Sequence, residues 1–396
     1  MTEHSGQSTY YNDSRLADYS EGLNVSERGA VDLPFLLLTL LLLAIGMIML
    51  LSASFVGAYY GGEKTTKGDP TYYFTRQLAF AALGLLAMYL ATKFPLVFYR
   101  RLSKWVMIVA LGLLVIVAAI GVVAGGAQRW IGFGAFSIQP SEIAKLAVVL
   151  TFADMICRRR KKMAELKQGF LPFCAILAVL AGLVALQPHL SGAIIITAVG
   201  MIMLFLGGAK IRWFVAILIP LAIAATGLVL LFPHASVRIK VWLDPLGDPL
   251  GDGWQIAQSL YAIGSGGLMG LGLGQSRQKY LYLPEEHNDF IFSIICEELG
   301  FIGAILILAL FALLIMRGYW LATQAQNKFD FLVCSGLTSL LAMQVILNIA
   351  VVTSIVPCTG ISLPFFSYGG SALIMQLGEM GLILSMSRDI PAKKSG

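Results

Sequence analysis

Apolar residues run through this chain in long unbroken stretches, and the polar residues collect in the gaps between them. Leu33–Ala53 and Trp213–Phe232 each supply about 20 apolar residues, enough to cross a hydrocarbon core of roughly 30 Å as a helix. The pattern predicts ten spans, near 33–58, 78–94, 105–124, 141–157, 170–186, 192–207, 213–232, 289–316, 330–353 and 369–387. The fold class is therefore an all-α polytopic membrane protein, with one membrane domain over 33–387 and no internal repeat. The first run is too long for a signal peptide and lies behind a polar stretch, which excludes that reading. Between spans the polar segments are short except 59–77, 125–140 and 233–288.

Composition sharpens this picture. The chain is 58% hydrophobic and 13% charged, with mean hydropathy +0.79, against roughly 25% charged residues in a soluble domain. An even number of spans puts both termini on one side. Lys and Arg then orient the bundle, nineteen on the side of the termini against eight opposite, which places both termini in the cytoplasm and 233–288, the long loop between spans seven and eight, on the outside. Because the basic residues follow that membrane pattern and form no single stripe, a nucleic-acid partner is excluded. Residues 1–32 carry six acids and two arginines without apolar periodicity, and read as a disordered cytoplasmic tail; residues 388–396 form a second, short one. Five scattered cysteines suggest neither disulfides nor a metal. No cluster of His, Cys or carboxylates has ligand spacing, so no cofactor is implied; assistance by a divalent cation stays open.

Ionisable residues inside a membrane are costly and mark function or a structural pair. Glu142 and Lys145 lie three apart on one helical face behind Pro140, either as an ion pair that orients the helix or, with Arg129 and Trp130, as a cationic and aromatic rim for an anionic head group. Glu297, Glu298, Glu379, His189 and Asn348 are lone polar groups more simply read as packing links. Adjacent helical residues point about 100° apart, so Glu297 and Glu298 are expected to face different partners.

The outer segment 233–288 is rich in Gly and holds Asp244-Pro245 and Asp248-Pro249, then Gly251, Asp252, Gly253 and Trp254. Aspartates before proline favour turns, and Asp244 and Asp252 fit that role as well as any chemical one. Trp254, Ala257, Leu260, Tyr261 and Gly264 recur at helical spacing, predicting a short amphipathic helix at the interface. Arg238, Lys240, Arg277 and Lys279 bracket the aspartates. Cations that hold a diphosphate and a carboxylate that takes a proton are what transfer from a pyrophosphate-linked donor requires; a solvated loop of mixed charge has the same look. In 354–371, prolines 357 and 364 and glycines 360, 369 and 370 forbid a regular helix at membrane depth, which predicts a cavity near Ser367 and Tyr368.

Taken in order, Gln128-Arg129-Trp130, Gln139-Pro140-Ser141-Glu142 with Lys145, Gln187-Pro188, Asp248-Pro249 with Gly251, Gly253 and Trp254-Gln255, Tyr282-Leu283-Pro284-Glu285, Asp289-Phe290-Ile291-Phe292, Glu297-Glu298-Leu299-Gly300 and Pro364 to Ser371 make the chain resemble the SEDS family of FtsW, RodA and SpoVE over nearly all of 33–387. The QKYLYLPE wording leans to the FtsW and SpoVE branch. The resemblance implies a peptidoglycan glycosyltransferase of the bacterial plasma membrane. It would polymerise lipid II on the outer face for division or sporulation, with inversion and undecaprenyl pyrophosphate as leaving group. It implies Asp248 as general base, Arg129, Lys145, Arg238 and Lys240 as diphosphate ligands, Glu142 as the partner of Lys145, and Trp130, His287, Ser367 and Tyr368 lining the substrate groove. A membrane-anchored class B penicillin-binding transpeptidase and other division or elongation proteins are the implied partners. One departure is His189, where the family carries an aspartate after Gln-Pro; an imidazole cannot replace a carboxylate that fixes a cation. A lipid II flippase and a non-catalytic division scaffold are the competing classes.

Overall fold

A computed structural model describes residues 28–60, 66–124, 127–133, 136–187, 189–231 and 233–390; residues 1–27 of the tail expected over 1–32, and 391–396 of that expected over 388–396, lie outside the described residues. Three long helices come first, α1 (Leu33–Tyr60), α2 (Tyr72–Lys93) and α3 (Leu96–Ile120). A small sheet follows, β1 (Val122–Ala124), β2 (Ala127–Phe133) and β3 (Phe136–Ile138), then α4 (Pro140–Arg158), α5 (Leu171–Ala185), α6 (Leu190–Gly207) and α7 (Ile211–Leu231). The segment expected to be one long loop contains two helices, α8 (Pro233–Leu243) and α9 (Trp254–Ser265). The chain closes with α10 (Ile291–Thr323), α11 (Lys328–Val352) and α12 (Gly370–Ser387).

Seven of these helices among the described residues are long and apolar enough to cross a membrane: α1, α2, α3, the segment Leu166–Ala185 that includes α5, α6, α10 and α11. The helices α4 and α12 have spanning length, but Glu142, Lys145 and Asp154 in one, and Gln376 and Glu379 in the other, are buried against neighbours. Helix α12 packs along α2, α4 lies against α3, α6 and α11, and α10 joins α11 to α1. The window of α11 that fits a membrane is 78% buried, which makes it the centre of the bundle. Helix α7 exposes Val215, Leu218, Ile219 and Ile223 and is peripheral.

Helices α2 and α3 begin at Tyr72 and Leu96, well before the predicted 78 and 105, because a helix extends past the hydrocarbon as long as its polar side chains reach water. Strand pairing explains the sheet: β2 and β3 are antiparallel with Ile131 opposite Ile138, and β1 joins with Val122 opposite Trp130, so 122–124, 127–133 and 136–138 form sheet in a protein expected to be all helix. Residues 28–32 belong to the fold: Arg28 Nε donates to Asp389 at 2.6 Å and the Arg28 guanidinium also reaches the carbonyl oxygens of Thr92 and Ser385.

Helix α10 is interrupted. Gly300 has φ 68° and ψ −172°, and a Cβ there would come within 2.2 Å of the Gly270 nitrogen. Glycine is required because the backbones of 266–272 and 296–300 touch, with Leu271 and Gly272 donating to the carbonyls of Glu297 and Glu298.

Candidate active site

The break in α10 changes the outcome for its two glutamates. Glu297 accepts the Ser276 hydroxyl and the backbone N–H groups of Arg277 at 3.0 Å and Gln278 at 3.3 Å. Glu298 accepts Lys279 Nζ at 2.9 Å, the Ser52 hydroxyl at 2.7 Å and the Ser276 N–H at 3.3 Å. The helical angle between neighbours therefore does not separate them: a single loop, 276–279, wraps round both carboxylates. They hold the outer loop against the bundle, and Lys279, expected beside the loop aspartates, is spent on Glu298.

Asp248 lies in the turn region between α8 and α9. It is exposed, and its Oδ2 accepts the Asp252 N–H at 3.3 Å. A Cβ on Gly251 would approach that oxygen to 2.2 Å, so the carboxylate folds back over its own turn. Asp244, Arg238 and Lys240 are likewise exposed. Helix α9 forms as predicted, yet it does not lie free at the interface: Ile256, Ala257, Ser259 and Ala262 are buried against α10 and α11, with the Ser259 hydroxyl bonded to Ser293 Oγ at 2.8 Å and to the Val352 carbonyl at 2.7 Å.

The environment built for chemistry surrounds Asp289. It precedes α10, outside the span, and is half-buried. Its backbone carbonyl accepts Asn348 Nδ2 at 2.8 Å, the same amide reaching the Ile361 carbonyl at 2.5 Å. Ser362 Oγ stands 3.5 Å from Oδ1, and a Cβ on Gly360, which has φ 66°, would meet Oδ2 at 2.8 Å. The glycine thus leaves the carboxyl its room. Burial, then the neighbouring Glu285 charge, raise the Asp289 pKa from 3.8 to about 6, against the opposing pull of Arg129. Arg129, half-buried on β2, has its own pKa lowered by burial and by Arg238, while Asp289 raises it. So the sheet preceding α4 places Arg129 within electrostatic reach of Asp289, and Arg238 acts on Arg129 from α8.

Behind this lies a small polar cavity, about 40 Å³, lined among others by Glu142, Lys145, His189, Ser362 and Gln376. Lys145 Nζ pairs with Glu142 Oε2 at 2.7 Å, both side chains buried. His189 Nδ1 lies 3.5 Å from Gln139 Nε2. Burial, with Arg129 and Lys145 nearby, drives its pKa to about 3, so the imidazole is neutral at pH 7. It adds no charge to the cations, where an aspartate would have cancelled one.

Tyr368 stacks edge-on to Tyr73 at 4.9 Å and His287 lies tilted on Tyr73 at 4.3 Å, so the three rings form one cluster. Ser367 does not line a groove. Its hydroxyl donates to the Asn288 carbonyl at 2.6 Å and accepts the Leu363 N–H at 2.7 Å, and the side chain is buried. The cavity expected beside it opens instead at Gly360–Ser362, while Phe365 and Phe366 are buried against Phe311. Trp130 is half-buried on β2. In the sequence Asp289 figures only in the Asp289-Phe290-Ile291-Phe292 motif and as the first residue of the span predicted over 289–316, with no chemical role; the observed helix starts two residues later, at Ile291, and the prolines and glycines around Asp248 were the louder signal.

A many-helix membrane protein with a cluster of buried and half-buried polar residues around Asp289 is the class these observations define. Residues 33–391 match the cell cycle proteins FtsW, RodA and SpoVE, and the chain belongs to that family. It is 44% identical over 367 residues to stage V sporulation protein E of Bacillus subtilis, covering 92% of this chain and 98% of that one. It is 40% identical to a probable peptidoglycan glycosyltransferase FtsW of Trichlorobacter lovleyi, covering 90% and 93%. Among solved structures, a chain from work on polymerisation and crosslinking by a peptidoglycan synthase complex superposes with a TM-score of 0.77 at 30% identity, covering 91% of this chain and 98% of that one. The rod shape determining protein RodA of Thermus thermophilus superposes with a TM-score of 0.65 at 28% identity, covering 92% and 99%.

Proposed function

We propose that this chain is a peptidoglycan glycosyltransferase that polymerises lipid II at the outer face of the bacterial plasma membrane, as ten spanning helices with both termini in the cytoplasm, and that Asp289 is its general base. The observation that carries this is the half-buried Asp289 carboxyl, set by Gly360 and Ser362, raised to about 6 and within the electrostatic field of Arg129. A base of that pKa is ionised at neutral pH yet basic enough to accept a hydroxyl proton as the transition state forms. The acceptor sugar's hydroxyl oxygen bonds to the anomeric carbon of the lipid-linked donor with inversion. Its proton passes to Asp289, the bond from that carbon to the diphosphate oxygen breaks, and the lipid diphosphate departs with its charge held by Arg129 and Arg238. The Lys145–Glu142 pair supports this field from below, and Tyr73, His287 and Tyr368 form a wall for the sugar. Asp248 and Lys240 shape and charge the rim, and Asp248 serves as a turn former.

Relatives named as glycosyltransferases favour this over transport. So does the course of α4: past Lys145 it buries Ala147, Val148, Val149, Leu150, Phe152 and Ala153, which offers a polar head group no path across. The likeness to a chain of a peptidoglycan synthase complex supports a membrane-anchored class B penicillin-binding transpeptidase as partner, with other division or elongation proteins around it. The test is glycan-strand formation from purified lipid II, read on a gel, with its transpeptidase present. Asp289→Asn is expected to lose activity by at least about 100-fold, the scale of general acid–base catalysis, and Asp248→Asn to keep most of it. Loss in the Asp248 variant alone would return the base to that turn, and full activity in both would remove the mechanism.

A further inference from the structure

At the end of the bundle opposite Asp289, where Gly29 and Arg388 meet, α4 and α5 enclose a second cavity of about 950 Å³. Six of its lining side chains are basic: Arg158, Arg159, Arg160, Lys161, Lys162 and Lys167. None of its lining residues is acidic. Arg158 is paired with Asp154 at 2.8 Å, but Asp154 also holds Arg100 at 2.9 Å; among the described residues the other five cations form no ion pair.

A basic segment at a membrane surface satisfies the general charge bias whatever its shape, but this one is built. Arg160–Lys162 form a turn of 3-10 helix and Leu166–Phe170 a turn of π-helix. Arg159 donates to the Gln168 carbonyl at 3.1 Å, tying the two walls. A Cβ on Gly169 would come within 2.2 Å of the Lys162 carbonyl, so the turns are in backbone contact, over a buried Met163 and Phe170. Trp213 Nε1 reaches the Ala164 carbonyl at 3.3 Å and fastens the loop to α7. Ordering like-charged side chains round a cavity costs repulsion that only an anion relieves.

Exposed apolar residues stand at the ends of the neighbouring helices and loop, Leu166, Leu171 and Ile211. We propose that this cavity binds the head group of an anionic phospholipid carrying two phosphates, its cations on the phosphates and its apolar rim along the acyl chains. The polyanion is a lipid and not a soluble phosphate, because the rim is continuous with the lipid-facing surface of α5 and α7.

The test uses the full chain in detergent, titrated separately with tetraoleoyl cardiolipin, dioleoyl phosphatidylcholine and inorganic tripolyphosphate, with bound species counted by native mass spectrometry. The wild type is expected to take up one cardiolipin in preference to phosphatidylcholine. The exposed pair Lys161→Glu with Lys162→Glu is expected to weaken that binding about tenfold, and Arg101→Glu with Lys104→Glu, outside the cavity, to change it by less than about twofold. Equal loss in both double variants would reduce the effect to diffuse surface charge and overturn the proposal. So would tripolyphosphate binding without cardiolipin, or no preference over phosphatidylcholine.

Discussion

At the residue scale, the site depends on how two side chains are kept from their ordinary protonation behaviour. Burial pushes Asp289 up to about 6 and His189 down to about 3. With Asp289 as base, activity is expected to rise with pH and to reach half its plateau near pH 6, measured as initial polymerisation rate across pH 4.5–8. Glu285→Gln removes a charge that raises this pKa, and is expected to move the acidic limb to lower pH; a limb that stays fixed would mean that another group titrates. The stability linkage has the opposite sign. A raised Asp289 favours the fold below its unfolded value of 3.8, and that contribution is lost as pH rises through about 6. His189, whose pKa is lowered from 6.5, favours the fold above its unfolded value, and its contribution is lost as pH falls from there toward 3. The sequence showed both residues and their types. Their environments come from elsewhere in the chain, Arg129 from a strand and Gly360 and Ser362 from a loop some seventy residues further on, and local spacing could not reveal that.

At the element scale, broken helix α10 decides how the outer loop is held. The Glu297–Glu298–Leu299–Gly300 run is plain in the sequence, and so is the helix. What was not legible is that Gly300 leaves the helical conformation so that two backbones touch, which lets adjacent glutamates grip one loop. Lys279→Ala would leave Glu298 charged and buried with only hydroxyl and N–H partners. Removing one partner of a buried ion pair costs roughly 3–5 kcal/mol, so a clear fall in the thermal midpoint of the detergent-solubilised protein is expected. Lys279→Met with Glu298→Leu, which removes both charges together, is expected to recover much of it. A single variant as stable as wild type would show that the pair carries no weight.

At the scale of the whole molecule, both ends of the described chain close on one another. Arg28 bonds Asp389, Ser385 and the C-terminal end of α2, and Asp32 is paired with Arg317 of α10 in contact distance. These clamps link α1, α2, α10 and α12 at the end away from Asp289. Arg28→Ala is expected to lower the thermal midpoint and to expose the end of α12 to limited proteolysis, with glycan synthesis per folded molecule unchanged; altered activity without altered stability would contradict a purely structural clamp.

The sequence by itself determined that the chain is a helical membrane protein, and the order of motifs that placed it in a family. Those properties follow from hydrophobic run length and residue type, and each is local. Only the tertiary structure decided which carboxylate stands beside a cation. Asp248 and Asp289 are the same residue type in the sequence, and one sits exposed in a turn while the other is half-buried in the field of Arg129, because burial and charge proximity depend on which distant elements pack together.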